Sequence, residues 1–218
     1  MQIKTIAQYL EEVAPLAYQE SYDNSGLLVG DVNKEVTNCL ITLDCTEAII
    51  QEAINKKCEL IIAHHPIIFS GLKSLTGKNY IERTVIKAIQ NNIAIYASHT
   101  NLDNINTGVS KKICDKLGLV NTSVLAPKSN LLEKLTVFVP VSHAKEMRTL
   151  LASIGVGRLG KYEACSFTTA GKGRFLPSIN ATPFLGAAGE LEEVDEERIE
   201  VIYPNYLSKK IVGEMLQK

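Results

Sequence analysis

The chain has 218 residues, 45% of them apolar and 22% charged, with a net charge of −1. That length suffices for one large domain or two small ones with sizeable cores, and near-neutral, mixed charge argues against a broad electrostatic footprint for nucleic acid or an anionic membrane. The N-terminus lacks an apolar leader and no run approaches membrane-spanning length, which predicts a cytoplasmic protein.

From the N-terminus, Ile3, Ile6, Ala7, Leu10 and Val13 repeat at helical spacing, Pro15 closes the segment, and Thr5 with Gln8 has the spelling of a capping box. Asp23-Asn24-Ser25-Gly26 is a turn signal, followed by a short strand over Leu27 to Val29. A strand is predicted over Val36–Asp44, a helix from Thr46, and a second strand over Cys58–Ala63 that runs into His64-His65-Pro66. Ser70–Asn79 reads as an exposed loop, Tyr80–Asn91 as a helix and Ile93–Ala97 as a third strand. That strand leads into Ser98-His99-Thr100-Asn101-Leu102-Asp103, then a helix over Thr107–Leu117 with Gly118 past its end. Alternating strands and helices on short loops predict a parallel α/β sheet.

The texture changes at Ala126–Asn130, a linker. Beyond it come a strand (Leu135–Val141), a helix (Ala144–Ile154), a glycine-rich loop (Gly155–Tyr162), strands over Cys165–Ala170 and Gly173–Pro177 around a turn, a strand over Ile199–Tyr203 and a helix over Tyr206–Leu216. This order predicts a smaller α+β domain with antiparallel pairing. Gly155-x-Gly157-x-x-Gly160 spells the dinucleotide fingerprint, but it follows a helix and leads into a strand, the reverse of what the fingerprint needs, so a turn is the better reading. Five cysteines form no C-x-x-C pair. Cys39, Cys58 and Cys114 sit in apolar runs, which predicts buried free thiols in a reducing compartment rather than a disulfide framework.

Leu60-Ile61-Ile62-Ala63-His64-His65-Pro66 carries the chemistry. Four apolar residues are what a strand buried on both faces looks like, and proline stops the ladder. Histidines in isolation are more often ordinary core or surface residues. Here the end of one parallel strand, His64-His65, is matched by the end of the next, His99 to Asp103, and ligands collect outside such ends. Three histidines and a carboxylate suit a divalent transition metal, with Zn, Mn, Fe and Ni not distinguished. Asp44 either hydrogen-bonds a ligand histidine or caps the helix at Thr46; Asp23 and Asn24 either line the cleft or serve the turn.

Tyr22-Asp-Asn-Ser-Gly-Leu-Leu-Val-Gly30, Leu43-Asp-Cys-Thr46, Leu60 to Phe69, Ala97 to Asp103, Gly108-Val109 and Leu117-Gly118-Leu119 together resemble the NIF-three-like proteins, also called GTP cyclohydrolase I type 2 homologues. Tyr22 stands where the family commonly has tryptophan. Gly155 to Tyr162, Gly171 to Phe175 and Glu197 to Glu200 resemble the inserted domain of the longer members, which is similar to PII and CutA folds. The resemblance implies an α/β metal-binding domain over 1–125, lacking its closing segment and so leaving an apolar face or edge exposed, and a PII/CutA-like α+β domain over 131–218. It implies a dinuclear centre, two divalent metal ions per complete site, with ligands corresponding to His64, His65 and Asp103. The further histidine and glutamate that the family supplies near its C-terminus are not in this sequence; His143 stands at the wrong place. His99 is then a candidate catalytic acid/base or a donor orienting a ligand. The implied activity is metal-dependent hydrolysis of a small-molecule substrate, phosphate-containing ones included, in a ring-shaped homo-oligomer. Two alternatives stay open: a non-enzymatic ligand-sensing or assembly protein acting through the PII-like domain, and an inactive truncated member.

Overall fold

The computed structural model describes residues 1–216. The chain divides into two compact units, Met1–Leu125 and the segment from Ala126 onward. No helix among the described residues is long and apolar enough to cross a membrane.

The first unit begins with α1 (Ile3–Val13) and a 3-10 turn (Leu16–Tyr18), followed by β1 (Gly26–Val29), β2 (Cys39–Thr42) and α2 (Glu47–Asn55). Next come β3 (Leu60–Ala63), α3 (Tyr80–Gln90), β4 (Ala94–Ala97), the short α4 (Thr100–Asp103) and α5 (Val109–Lys116). Its four strands lie in the order β1-β4-β3-β2. β2, β3 and β4 are parallel and in step: Cys39 faces Leu60, Leu60 faces Ala94, and Thr42, Ala63 and Ala97 end together. β1 runs antiparallel to β4, with Gly26 opposite Ala97. The sheet is therefore mixed rather than wholly parallel.

Helices cover both faces. α2 and α3 pack Ile50, Ala53, Val85 and Ala88 onto Ile61, Ala63 and Ile95. α1 brings Ile3 to Leu60, Ala94 and Tyr96 on the other face. Every residue of β4 is buried as a result, which is why its sequence is continuously apolar. Full burial of an isoleucine such as Ile61 or Ile95 contributes about 1.5–3 kcal/mol. β2 is an edge, and it leaves Ile41 77% exposed.

Helix starts show where local chemistry prevails. Thr46 Oγ1 accepts from Ile49 N at 3.3 Å and caps α2. Asn79 Oδ1 accepts from Glu82 N at 2.9 Å and caps α3. Glu82 in turn accepts from the Thr76 and Lys78 backbone N–H groups, which ties down the exposed 70–79 loop. The capping box expected at Thr5 and Gln8 does not form. α1 starts at Ile3, and its first N–H groups donate to Lys34 O (3.0 Å, from Ile3) and Val32 O (2.8 Å, from Lys4), so no side chain is needed there. α5 likewise begins at Val109 rather than Thr107. A Cβ on Gly108 would lie 1.8 Å from Leu102 O, so only glycine lets α5 start so close behind α4.

The second unit contains β5 (Leu132–Pro140), a 3-10 turn (Val141–His143), α6 (Ala144–Ile154), β6 (Phe167–Phe175), β7 (Glu192–Pro204), a 3-10 turn (Asn205–Leu207) and α7 (Ser208–Leu216). The sheet order is β5-β7-β6, antiparallel throughout. α6 and α7 pack Leu151, Ile154 and Ile211 against Val139, Ile199 and Val201 on one face. Two strands expected around a turn near Gly171 are one strand, because both glycines stay in the ladder opposite β7. β7 starts at Glu192, seven residues before the expected Ile199, and runs for 13 residues. Its acidic run is compensated by Lys172 beside Glu193 and Asp195, and by Arg148 on Glu197. The glycine-rich loop follows α6 and opens no helix.

All five cysteines are free. Cys45 and Cys58 are the buried ones, while Cys39 is exposed and Cys114 half-buried, contrary to the expectation from their apolar neighbours. A neighbour's hydropathy says nothing about which side of a strand or helix a thiol takes. Burial pushes the Cys45 thiol up to about 12, leaving it inert as a nucleophile.

Candidate metal centre

Because β2, β3 and β4 end in step, the residues that follow them arrive at one edge of the sheet. The ladder continues past the strands: His64 N donates to Thr42 O (3.1 Å), His65 N to Leu43 O (2.9 Å) and Ser98 N to Ala63 O (2.9 Å). These bonds place Asp44, His64, His65 and His99 side by side. The three imidazole centroids lie 5.1, 5.3 and 5.6 Å apart, and one ligand nitrogen from each lies within 4.8 Å of the others.

Each ring has one nitrogen already engaged. His64 Nδ1 is 2.8 Å from the Ser98 carbonyl oxygen. His65 Nδ1 is 2.8 Å from Asp44 Oδ1, and His99 Nδ1 is 2.8 Å from Asp23 Oδ1. All three partners are acceptors, so each Nδ1 carries the proton and donates it. Each neutral ring thereby keeps its lone pair on Nε2. Hydrogen bonds of this kind fix the tautomer and orientation of metal-ligating histidines. Asp103, delivered by α4, adds an oxygen 3.8 Å from His64 Nε2. Three oriented nitrogens and one carboxylate oxygen fit a divalent transition metal better than Ca or Mg, which prefer all-oxygen surroundings.

Asp23, for which the sequence left both a cleft-lining and a turn role open, is joined to the cluster through His99. Its side chain is fully enclosed, at 0% exposure. Besides His99 it accepts from Asn24 N (2.6 Å), Ser25 Oγ (3.1 Å), Thr100 N (3.0 Å) and Thr100 Oγ1. Burial alone opposes ionisation, but the hydrogen bonds from Thr100, His99 and the backbone outweigh it and hold the carboxyl down to about 2. The antiparallel direction of β1 brings it here: the start of that strand lies beside the end of β4. Gly26, at φ +117°, makes the turn into the strand. Asn101 completes the anchorage, accepting from His99 N (2.9 Å) and donating to Ala14 O (2.7 Å).

Asp44 does not cap α2, since Thr46 provides the cap, and its carboxylate instead holds His65. Asn24 donates to Ile68 O at 2.6 Å, clamping the segment beyond Pro66. His143 belongs to the second unit, where its ring packs on Phe184 at 5.2 Å. Nothing in the four apolar residues of β1 reveals its direction, so the meeting of Asp23 and His99 had no signal in the local pattern.

The model of the Duf34/NIF3 (NGG1p interacting factor 3) family matches residues 1–190. The GTP cyclohydrolase 1 type 2 homolog of Bacillus subtilis is 40% identical over 213 residues, covering 97% of this chain and 57% of that protein. The homolog of Halalkalibacterium halodurans is 40% identical over 215 residues, covering 98% and 58%. A solved structure of a Bacillus cereus protein related to NIF3 superposes with a TM-score of 0.82 at 39% identity, over 100% of this chain and 58% of that one. The chain thus spans less than two thirds of the length of the curated relatives it matches.

Proposed function

From the premise that this chain belongs to the Duf34/NIF3 family, we propose that its histidine cluster holds a divalent transition metal and serves the hydrolysis of a small-molecule substrate, phosphate esters included. The observation that carries this reading is the engagement of all three Nδ1 atoms by separate oxygens, which leaves three Nε2 lone pairs at one place. A bound ion supplies Lewis acidity at a phosphoryl or carbonyl oxygen and lowers the pKa of water.

His64, His65 and Asp103 are the ligands we assign, Asp103 being the carboxylate that would join the nitrogens in holding one ion or two. Ser98 O and Asp44 hold the two ligand rings in place. His99 has the same free Nε2, which would serve as a further nitrogen donor to an ion or as a proton acceptor beside it. Asp23 keeps that ring in the required tautomer.

Elemental analysis of the purified chain, with calorimetric titration of chelated protein by Zn²⁺ and Mn²⁺, tests the reading. Stoichiometric metal that is lost in His64→Ala and His65→Ala is expected, as is chelator-sensitive phosphate release from a panel of phosphate esters. A parent protein that binds no more metal than those variants overturns it. Assembly into a ring is a second element of the proposal, supported by the nine-residue edge strand β6, whose residues are mostly exposed. Light scattering showing monomer alone would remove it.

A further inference from the structure

Two aromatic rings stand at the rim of the histidine cluster without being buried. Tyr22 is 64% exposed and Phe69 47%. Their centroids are 6.2 Å apart with planes tilted by 42°, and Phe69 meets the His99 ring nearly edge-on, at 6.3 Å and 78°. One exposed aromatic is ordinary on a protein surface. This pair comes from two separate segments of the chain, and neither ring belongs to the buried apolar clusters of the described residues.

Their backbones are nonetheless held. Ile67 is buried and Ile68 packs on the sheet core, while Asn24 Nδ2 grips Ile68 O at 2.6 Å. Next to Tyr22, Asp23 is locked onto His99 and Thr100. The segments on either side of the pair are therefore anchored, and the apolar faces contribute nothing to the folded core. Flat faces presented this way are suited to a flat partner, since aromatic pairs attract beyond their area burial in offset or edge-to-face geometry. The Tyr22 hydroxyl adds a donor or acceptor for a heteroatom at the partner's rim.

Resting on the hydrolytic reading of the cluster, we propose that Tyr22 and Phe69 form a stacking wall for a planar conjugated ring of the substrate, a heterocycle or aryl group, and so set its scissile group beside the histidines. An aliphatic or simple sugar phosphate has no such face and gains nothing from the wall.

The test uses the full chain, with and without chelator, and two probes. Adenosine 5′-monophosphate carries a planar ring; ribose 5-phosphate carries the same sugar phosphate without one. Calorimetry and saturation-transfer NMR should show the ring-bearing probe binding about 10-fold tighter, with its ring protons saturated. Phe69→Leu and Tyr22→Leu should each weaken that probe about 3- to 10-fold while leaving ribose 5-phosphate and metal content unchanged. Phe69→Tyr and Tyr22→Phe should retain binding. Leucine keeps the apolar character and loses the flat face, so undiminished affinity in the leucine variants overturns the proposal, as does equal binding of the two probes. Ring-dependent binding in a protein that retains no metal supports the wall and defeats the metal reading. Retained metal with equal binding of both probes does the opposite.

Discussion

In the first unit β2, β3 and β4 run parallel and end in step, whereas in the second unit every neighbouring pair is antiparallel. Parallel strands send each following residue to the same edge, so Asp44, His64, His65 and His99 collect there. Antiparallel strands deliver successive connections to opposite edges, and His143, the histidine of the second unit, meets Phe184 instead of another imidazole. Burial differs in the same way. β4 is enclosed on both faces, while β7 alternates along much of its length and leaves one face of its sheet open. Strand direction, more than composition, decides where this chain concentrates chemistry.

The contrast breaks first, and most, at the sheet cores. Ile61→Ala, at a side chain with 0% exposure, should destabilise the first unit by about 2–5 kcal/mol. Phe138→Ala, on the open face of the second sheet at 65% exposure, should stay within about 0.5 kcal/mol; urea denaturation followed by circular dichroism measures both, and equal losses would mean that the second sheet is covered. The next effect falls on the converging edge. Asp23→Asn should weaken Zn²⁺ binding by about 10- to 100-fold in calorimetric titration, and His143→Ala should leave it unchanged. Helix capping comes third: Asn79→Ala should cost about 1 kcal/mol of stability, with amide exchange accelerating over Thr76–Glu82 and metal affinity preserved.

The smallest effect sharpens the division between the two ends of the parallel sheet. At the far end Glu59 accepts from Asn38 N at 3.0 Å and from Thr37 N at 3.1 Å and Thr37 Oγ1 at 2.9 Å. The Asn38 backbone bond leads and the Thr37 bonds add to it against desolvation, which together lower the carboxyl to about 2. A carboxyl lowered on folding stabilises fully above its unfolded value near 4.5 and loses that contribution as pH falls through its folded value. Between about pH 4.5 and 2, Glu59→Gln should therefore show a flatter loss of stability than the parent in acid titrations, with metal content at neutral pH unaltered.

The central strands were legible because burial on both faces makes Leu60–Ala63 and Ile93–Ala97 continuously apolar, and the polar groups at their ends marked His64, His65, His99 and Asp103. The edges were harder. Glu192–Arg198 lies ahead of the strand expected over Ile199–Tyr203, yet it is strand, since β5 and β6 supply ladder partners on its two sides. Asp23 lies 76 residues from His99 in sequence, and their contact depends on the antiparallel course of β1, which no local pattern encodes. Thr5 and Gln8 spell a cap that the 32–34 backbone makes unnecessary.

The hydrogen bonds that extend the ladder beyond Thr42 and Ala63 make the donor set a gauge of correct pairing. A slip of one residue in β3 would carry His64 and His65 about 3.3 Å along the strand and onto opposite faces, separating them from His99. An ion that binds only the in-register sheet favours that pairing by mass action, by about 2.7 kcal/mol at a hundredfold excess over its dissociation constant. Metal present during refolding would thus add to the register that burial of these strands already specifies.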